Sequence, residues 1–195
     1  LNGLALCLLL LGVQQLGGAA IIKAKAWLAP LLIESAWTRS LDGGGAGMKP
    51  WPWADTWPVA RMRVPALGVD QFVLHGDSGN ALAFGPGHAL GSPVPGTPGV
   101  SVIGGHRDTH FAFLRRLPAG SRIELQLHSG EWRTYVAGEA HIVDASRDIL
   151  HADRSGEGLL LVTCYPFDTL RAGGPLRFTV LALPAHEASS PRYSL

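Results

Sequence analysis

From Ala60 onward the apolar positions come in short runs, separated by turn residues, with little sign of helical spacing. The runs are ARMRVPALGV (60–69), QFVLHG (71–76), GVSVIGGH (99–106), RIELQLH (122–128), WRTYVAGEAHIV (132–143), LLLVTCYP (159–166) and LRFTVLAL (176–183). Each carries β-branched or aromatic residues bounded by Gly, Pro, Asp or Ser, which is the signature of strands. Short strands with so few helical periods predict a mainly β domain, closed as a barrel or stacked as a sandwich. Two segments read differently. NALAFGPGHAL (80–90) predicts a short helix or turn, and THFAFLRRL (109–117) predicts a helical turn directly after the Gly-Gly-His strand end.

The pattern before Ala60 is of another kind. The first 22 residues carry no charge, and a helix needs about 20 apolar residues to cross a bilayer. A membrane anchor is therefore expected over 1–22, with the apolar core of a signal peptide as the competing reading. KAKAWLAPLLIESAWTRSL (23–41) has apolar residues at helical spacing, interrupted by Pro30. It reads equally as a juxtamembrane helix, with Trp27 and Trp37 at headgroup level, or as a helix packed on the domain. A glycine-rich joint, LDGGGAGMKP, leads to WPWADTWP, whose rings are expected to lie buried across the fold. The organisation predicted is an anchor at 1–22, a connecting segment at 23–58, a β domain at 59–185 and a frayed tail at 186–195.

Composition narrows the functional classes. At 195 residues the chain suits one full domain. A net charge of +1, with no basic stripe, excludes nucleic acid as the expected partner. Two cysteines make neither a disulfide scaffold nor a structural zinc site. The positive mean hydropathy of +0.18 follows from the uncharged N-terminus.

The candidate chemistry begins at Cys164, which closes the run LLLVT and is followed by Tyr-Pro. Cys7 lies far away in the apolar start, so Cys164 is expected to be a free thiol at a strand end, near a barrel mouth. Inert core filler and nucleophile both remain open at this point. His106 ends the strand VSVIGG, where an imidazole can serve as acid or base near neutral pH. His110 stands four positions later, but Arg107 replaces the glutamate of an HExxH zinc pattern, so metal ligation is not expected. The other six histidines read as structural. Arg177, in PLRFTV, either points into water or donates hydrogen bonds to a developing oxyanion, with Arg171 as its rival.

From about Arg61 to Leu183 the chain resembles the sortases, cysteine transpeptidases that fasten proteins to cell surfaces. The resemblance is carried by RVPALGVD, GPGH, VIGGHRDTHF and TCYPF. The family signature TLxTC appears within LLLVTC, with Leu160 in place of its threonine. In sortases an arginine follows the cysteine by thirteen positions, and Arg177 stands thirteen after Cys164. The resemblance thus selects Arg177 over Arg171. An L,D-transpeptidase would instead place Ser-His-Gly before the cysteine.

The resemblance implies an eight-stranded β-barrel with short helices. It implies catalytic roles for Cys164, His106 and Arg177, and a substrate protein bearing an LPxTG-like C-terminal sorting signal. Neither metal nor organic cofactor is implied, and no acidic cluster invites calcium. The amine acceptor is unknown. The Trp-rich segment and the TCYPF ending resemble the Gram-negative branch, which implies a single-pass protein of the bacterial inner membrane with its barrel in the periplasm. VDASRDILHADRSGEG (143–158) stands where sortases have a substrate-binding loop. A catalytically silent, peptide-binding barrel is the alternative from another class.

Overall fold

The computed structural model describes residues 3, 14, 27–147, 156–169 and 173–185. The predicted anchor at 1–22, the tail at 186–195, the middle of the expected substrate loop, and Arg171 fall outside the described residues, apart from Gly3 and Gln14.

Eight strands close into a barrel. They are β1 (Pro58–Val64), β2 (Val69–His75), β3 (Gly87–His88), β4 (Val100–Gly105), β5 (Arg122–Gln126), β6 (Trp132–Asp144), β7 (Gly158–Cys164) and β8 (Leu176–Pro184). Around the barrel the order is β1-β2-β3-β4-β7-β8-β6-β5. The pairs β2/β3 and β4/β7 are parallel, and the remaining pairs are antiparallel. Inside, Met62, Val64, Ile123, Leu125, Tyr135, Leu159, Leu161, Val180 and Ala182 form one core.

The run ARMRVPALGV, expected as one strand, is two strands and a turn. Pro65 has no N–H to give a ladder, and the chain leaves β1 there in a 3-10 turn, Pro65–Leu67. Gly68 then takes the left-handed conformation, at φ 64°, and Val64 pairs with Val69 to close the hairpin. NALAFGPGHAL supplies both a short helix, Gly79–Leu82, and the two-residue β3. The helical turn expected in THFAFLRRL is a 3-10 helix, Ala112–Arg116; Phe113 and Leu114 join the core from it, and Phe111 from the position just before it.

Residues 27–39 form a helix, α1, which Pro30 does not interrupt. Its buried side chains, Ala29, Ile33, Ala36 and Trp37, recur every three or four positions and share one face. That face lies on the barrel. Trp37 Nε1 donates to Gln126 Oε1 at 3.2 Å, and the Trp37 ring meets Phe72 at 6.2 Å and His128 at 5.0 Å. In WPWADTWP, Trp57 stacks on His75 at 3.8 Å and Trp51 meets Phe84 edge-on at 5.4 Å. Trp53 departs from the expectation, with 82% of its surface exposed.

At the other end of β7 from Cys164, the carboxylate of Glu157 takes hydrogen bonds from the buried Tyr135 hydroxyl and from Arg133. Arg133 also donates to Gly96 O at 3.0 Å. Glu157 therefore ties β6 to the entry of β7, and Arg133 extends the tie to the β3–β4 connection. Burial, and then the Glu157 contact, pushes the Tyr135 phenol well above its usual range.

His128 gives a pH prediction. Both of its ring nitrogens are buried with no hydrogen-bond partner among the described residues, and burial lowers its pKa. A depressed base stabilises the fold fully above its unfolded pKa and loses that stability as pH falls toward the folded value. The melting temperature is expected to drop between pH 7 and pH 5, by less in His128→Phe than in wild type. Thermal unfolding monitored by circular dichroism at the two pH values checks this.

Candidate active site

The sheet order places β4, β7 and β8 side by side. In register, Gly105 of β4 pairs with Thr163 of β7, and Cys164 of β7 pairs with Arg177 of β8. His106 follows Gly105 as Cys164 follows Thr163. Three adjacent strand ends therefore carry His106, Cys164 and Arg177 in that order, with the cysteine in the middle. Neighbouring strands run about 4.8 Å apart, so side chains on one face at such ends can reach a common substrate.

Alternation decides which face that is. Leu159 and Leu161 lie in the core opposite Ala182 and Val180, and Ile103 lies opposite Leu161. Successive side chains on a strand point to opposite faces. The parity that turns Leu161 and Val180 inward therefore turns Cys164 and Arg177 outward. The site is on the outer rim of the barrel, where the sequence suggested its mouth. That end of the interior is filled with aromatic rings. Phe111 meets Phe113 at 5.7 Å, Phe167 meets Phe178 at 5.1 Å, and all four pack in or against the core.

Local contacts fix each strand end. Cys164 is a free, partly buried thiol. Thr163, buried at 2% exposure, donates from Oγ1 to Gly105 O at 2.7 Å and locks the β4 and β7 ends together. Gly105 is required for packing, since a Cβ there would stand 2.7 Å from the Phe111 ring. The turn after His106 closes on its own carbonyl, which accepts from Phe111 N at 2.9 Å and from Thr109 N at 3.4 Å. Arg107 donates to Thr169 O at 3.0 Å, joining the segment after the histidine to the segment after the cysteine. Nothing in the sequence marks that tie.

The Arg177 guanidinium is held by its own strand's approach. Nη1 donates to Gly174 O at 2.7 Å and to Leu176 O at 2.9 Å, and no hydrogen bond within the described residues engages Nε or Nη2. Arginine's five donors sit in a rigid fork, so two carbonyls steady one nitrogen while the others can still donate. The His106 imidazole is exposed and has no side-chain hydrogen bond among the described residues.

His110 does not share this site. It lines a separate cleft of about 370 Å³ with Ile33, Glu34, Asp70 and Phe72. Burial, and then the neighbouring His106, lowers its pKa against the opposing pull of Asp108. Of the histidines expected to be structural, His88 is buried, with Nε2 2.9 Å from Pro93 O.

A model of the sortase domain matches residues 62–185. The chain belongs to the sortase family. Sortase D of Bacillus subtilis (strain 168) is 32% identical over 120 residues, covering 61% of this sortase and 60% of that protein. This sortase thus matches less than two thirds of that relative's length. Among solved structures, a Clostridium perfringens Sortase D5 transpeptidase superposes with a TM-score of 0.65 at 19% identity, over 80% of this chain and 98% of that one. Sortase C-1 from Actinomyces oris gives 0.57 at 25% identity, over 65% and 72%. The barrel of this sortase is therefore the family's fold.

Proposed function

We propose that this sortase is a cysteine transpeptidase acting on proteins with an LPxTG-like C-terminal sorting signal. The observation that carries the reading is the placement of Cys164 between His106 and Arg177 on three adjacent strand ends. The Cys164 thiolate attacks the threonine carbonyl carbon, and the carbonyl oxygen takes the negative charge. Arg177, through Nε or Nη2, donates hydrogen bonds to that oxyanion. As the intermediate collapses, the C–N bond to glycine breaks and His106 gives its proton to the leaving amine. A thioester on Cys164 remains. An incoming amine attacks it, neutral His106 takes the amine's proton, and the thiolate leaves. Water in place of the amine completes a hydrolysis.

The location proposed for this chemistry is the periplasmic face of a bacterial inner membrane, of the Gram-negative type that the TCYPF ending resembles. The uncharged segment 1–22 would serve as the single span. No helix among the described residues is long and apolar enough to cross a membrane.

A quenched fluorescent LPxTG-type peptide, incubated with and without an added primary amine, tests the reaction. Cleavage that accelerates with the amine and yields the amine-capped fragment supports transpeptidation. Cleavage indifferent to the amine reduces the proposal to a peptidase. Arg177→Lys separates fork from charge: kcat/KM is expected to fall about 100-fold, the usual scale for loss of an oxyanion donor, with the fold retained. Steady-state kinetics on the same peptide read it.

A further inference from the structure

Two faces of α1 have opposite environments. The inward face is used up on the barrel through Ala29, Ile33, Ala36 and Trp37. On the outward face the first turn is apolar and bare, with Trp27 73%, Leu28 45% and Leu31 48% exposed. The next residues on that face, Glu34, Ser35, Thr38 and Arg39, are polar and exposed. The apolar patch is thus confined to the N-terminal end of the helix. That end lies five positions after Ile22, the last residue of the uncharged segment, with Lys23 and Lys25 between.

We infer that the outward first turn of α1, Trp27 with Leu28 and Leu31, is seated in the interfacial zone of a lipid bilayer, so that the barrel is held against the membrane surface. The inference rests on the anchor reading of 1–22. Indole rings favour the headgroup level, where one edge is apolar and the other wet, and lysines beside them extend their ammonium groups to water. The barrel cannot cover this patch, because the helix turns its other face to it. The Gly43–Gly45 joint does not loosen the arrangement either. It follows α1 in the chain, and α1 is itself fastened to the barrel by Ile33, Trp37 and the Trp37–Gln126 hydrogen bond. The juxtamembrane and domain-packed readings of this segment are then two faces of one helix, and they fix the attitude of the active site to the membrane.

The test uses the full chain in phosphatidylcholine vesicles whose acyl chains are brominated near the headgroup, with tryptophan emission as the readout. Trp27 is one of six tryptophans. Trp27→Phe is nevertheless expected to remove about half or more of the lipid-dependent quenching, since interfacial indole is what this bromine reaches. A second variant, Leu28→Gln with Leu31→Gln, keeps all six rings and is expected to lower the quenching about twofold by weakening the seat. Equal quenching in wild type and both variants overturns the inference, as would a chain that pairs with a second copy through this face. An alkaline wash separates the two readings. Chain retained on the vesicles but without Trp27-dependent quenching overturns the seat and leaves the anchor. Chain removed by the wash, yet quenched through Trp27 beforehand, overturns the anchor and supports the seat.

Discussion

Cys164→Ala is expected to abolish cleavage of an LPxTG-type peptide, with kcat falling by about 10⁴-fold or more, the scale on which removal of a covalent nucleophile acts. The melting temperature is expected to stay within a few degrees of wild type. The physical reason is that the thiol is only partly buried and lies outside the core that holds the barrel. Truncating such a side chain leaves no sealed cavity. Cys164→Ser is an instructive companion. Its hydroxyl fits the same space, but an alcohol beside His106 is a far weaker nucleophile than a thiolate, so it too is expected to be inactive. Activity surviving in either variant would mean that the reaction runs elsewhere on the molecule. Single-turnover cleavage, read by mass spectrometry, is sensitive enough to decide.

His106→Ala carries the next largest effect, a loss of about 10³-fold in kcat, within the span usual for a general acid–base. The imidazole is exposed and its own carbonyl, not its side chain, organises the turn with Phe111 N and Thr109 N. The fold should therefore survive the substitution. If His106 protonates the departing amine, a peptide analogue with a thioester or activated ester at the scissile bond needs no such proton. That analogue is expected to recover most of the lost acylation rate in His106→Ala and none in Cys164→Ala. An equal defect on amide and activated ester would remove His106 from the proton-transfer role and leave it a positioning group.

Much of this candidate site was legible in the sequence. The thirteen-residue spacing of the sortase resemblance selects Arg177 over Arg171. A cysteine closing an apolar run and a histidine closing another are each tied to a strand end, and strand ends survive in the amino-acid pattern. Which face they share did not. LLLVTC is apolar through nearly its whole length, so it lacks the alternation that marks an inward and an outward side. Only the pairing of Leu161 with Ile103 and Val180, and of Cys164 with Arg177, shows that the thiol faces away from the core. β3 escaped for another reason: two residues, one of them glycine, are too few to show a period. The ties by Thr163 and Arg107 were equally hidden, because both end on backbone carbonyls 58 and 62 positions away.

α1 illustrates the converse. Its spacing foretold a helix, and its two tryptophans suggested a single environment. In the structure Trp37 is 2% exposed and Trp27 is 73% exposed. Ten positions amount to nearly three helical turns, but at 3.6 residues per turn they also rotate the side chain by about 80° away from alignment. The sequence period contains that rotation; the barrel surface decides which ring it covers.

The central claim is that Cys164 forms a thioester with the sorting-signal peptide. The measurement that tests it most directly is the intact mass of the protein after brief incubation with an LPxTG-type peptide, for wild type and Cys164→Ala. The account predicts a mass gain equal to the peptide's acyl portion in wild type, lost on hydroxylamine treatment and absent in the variant. An unmodified mass in both proteins, with the thiol titratable and the peptide demonstrably bound, would contradict it and make the barrel a peptide-binding module.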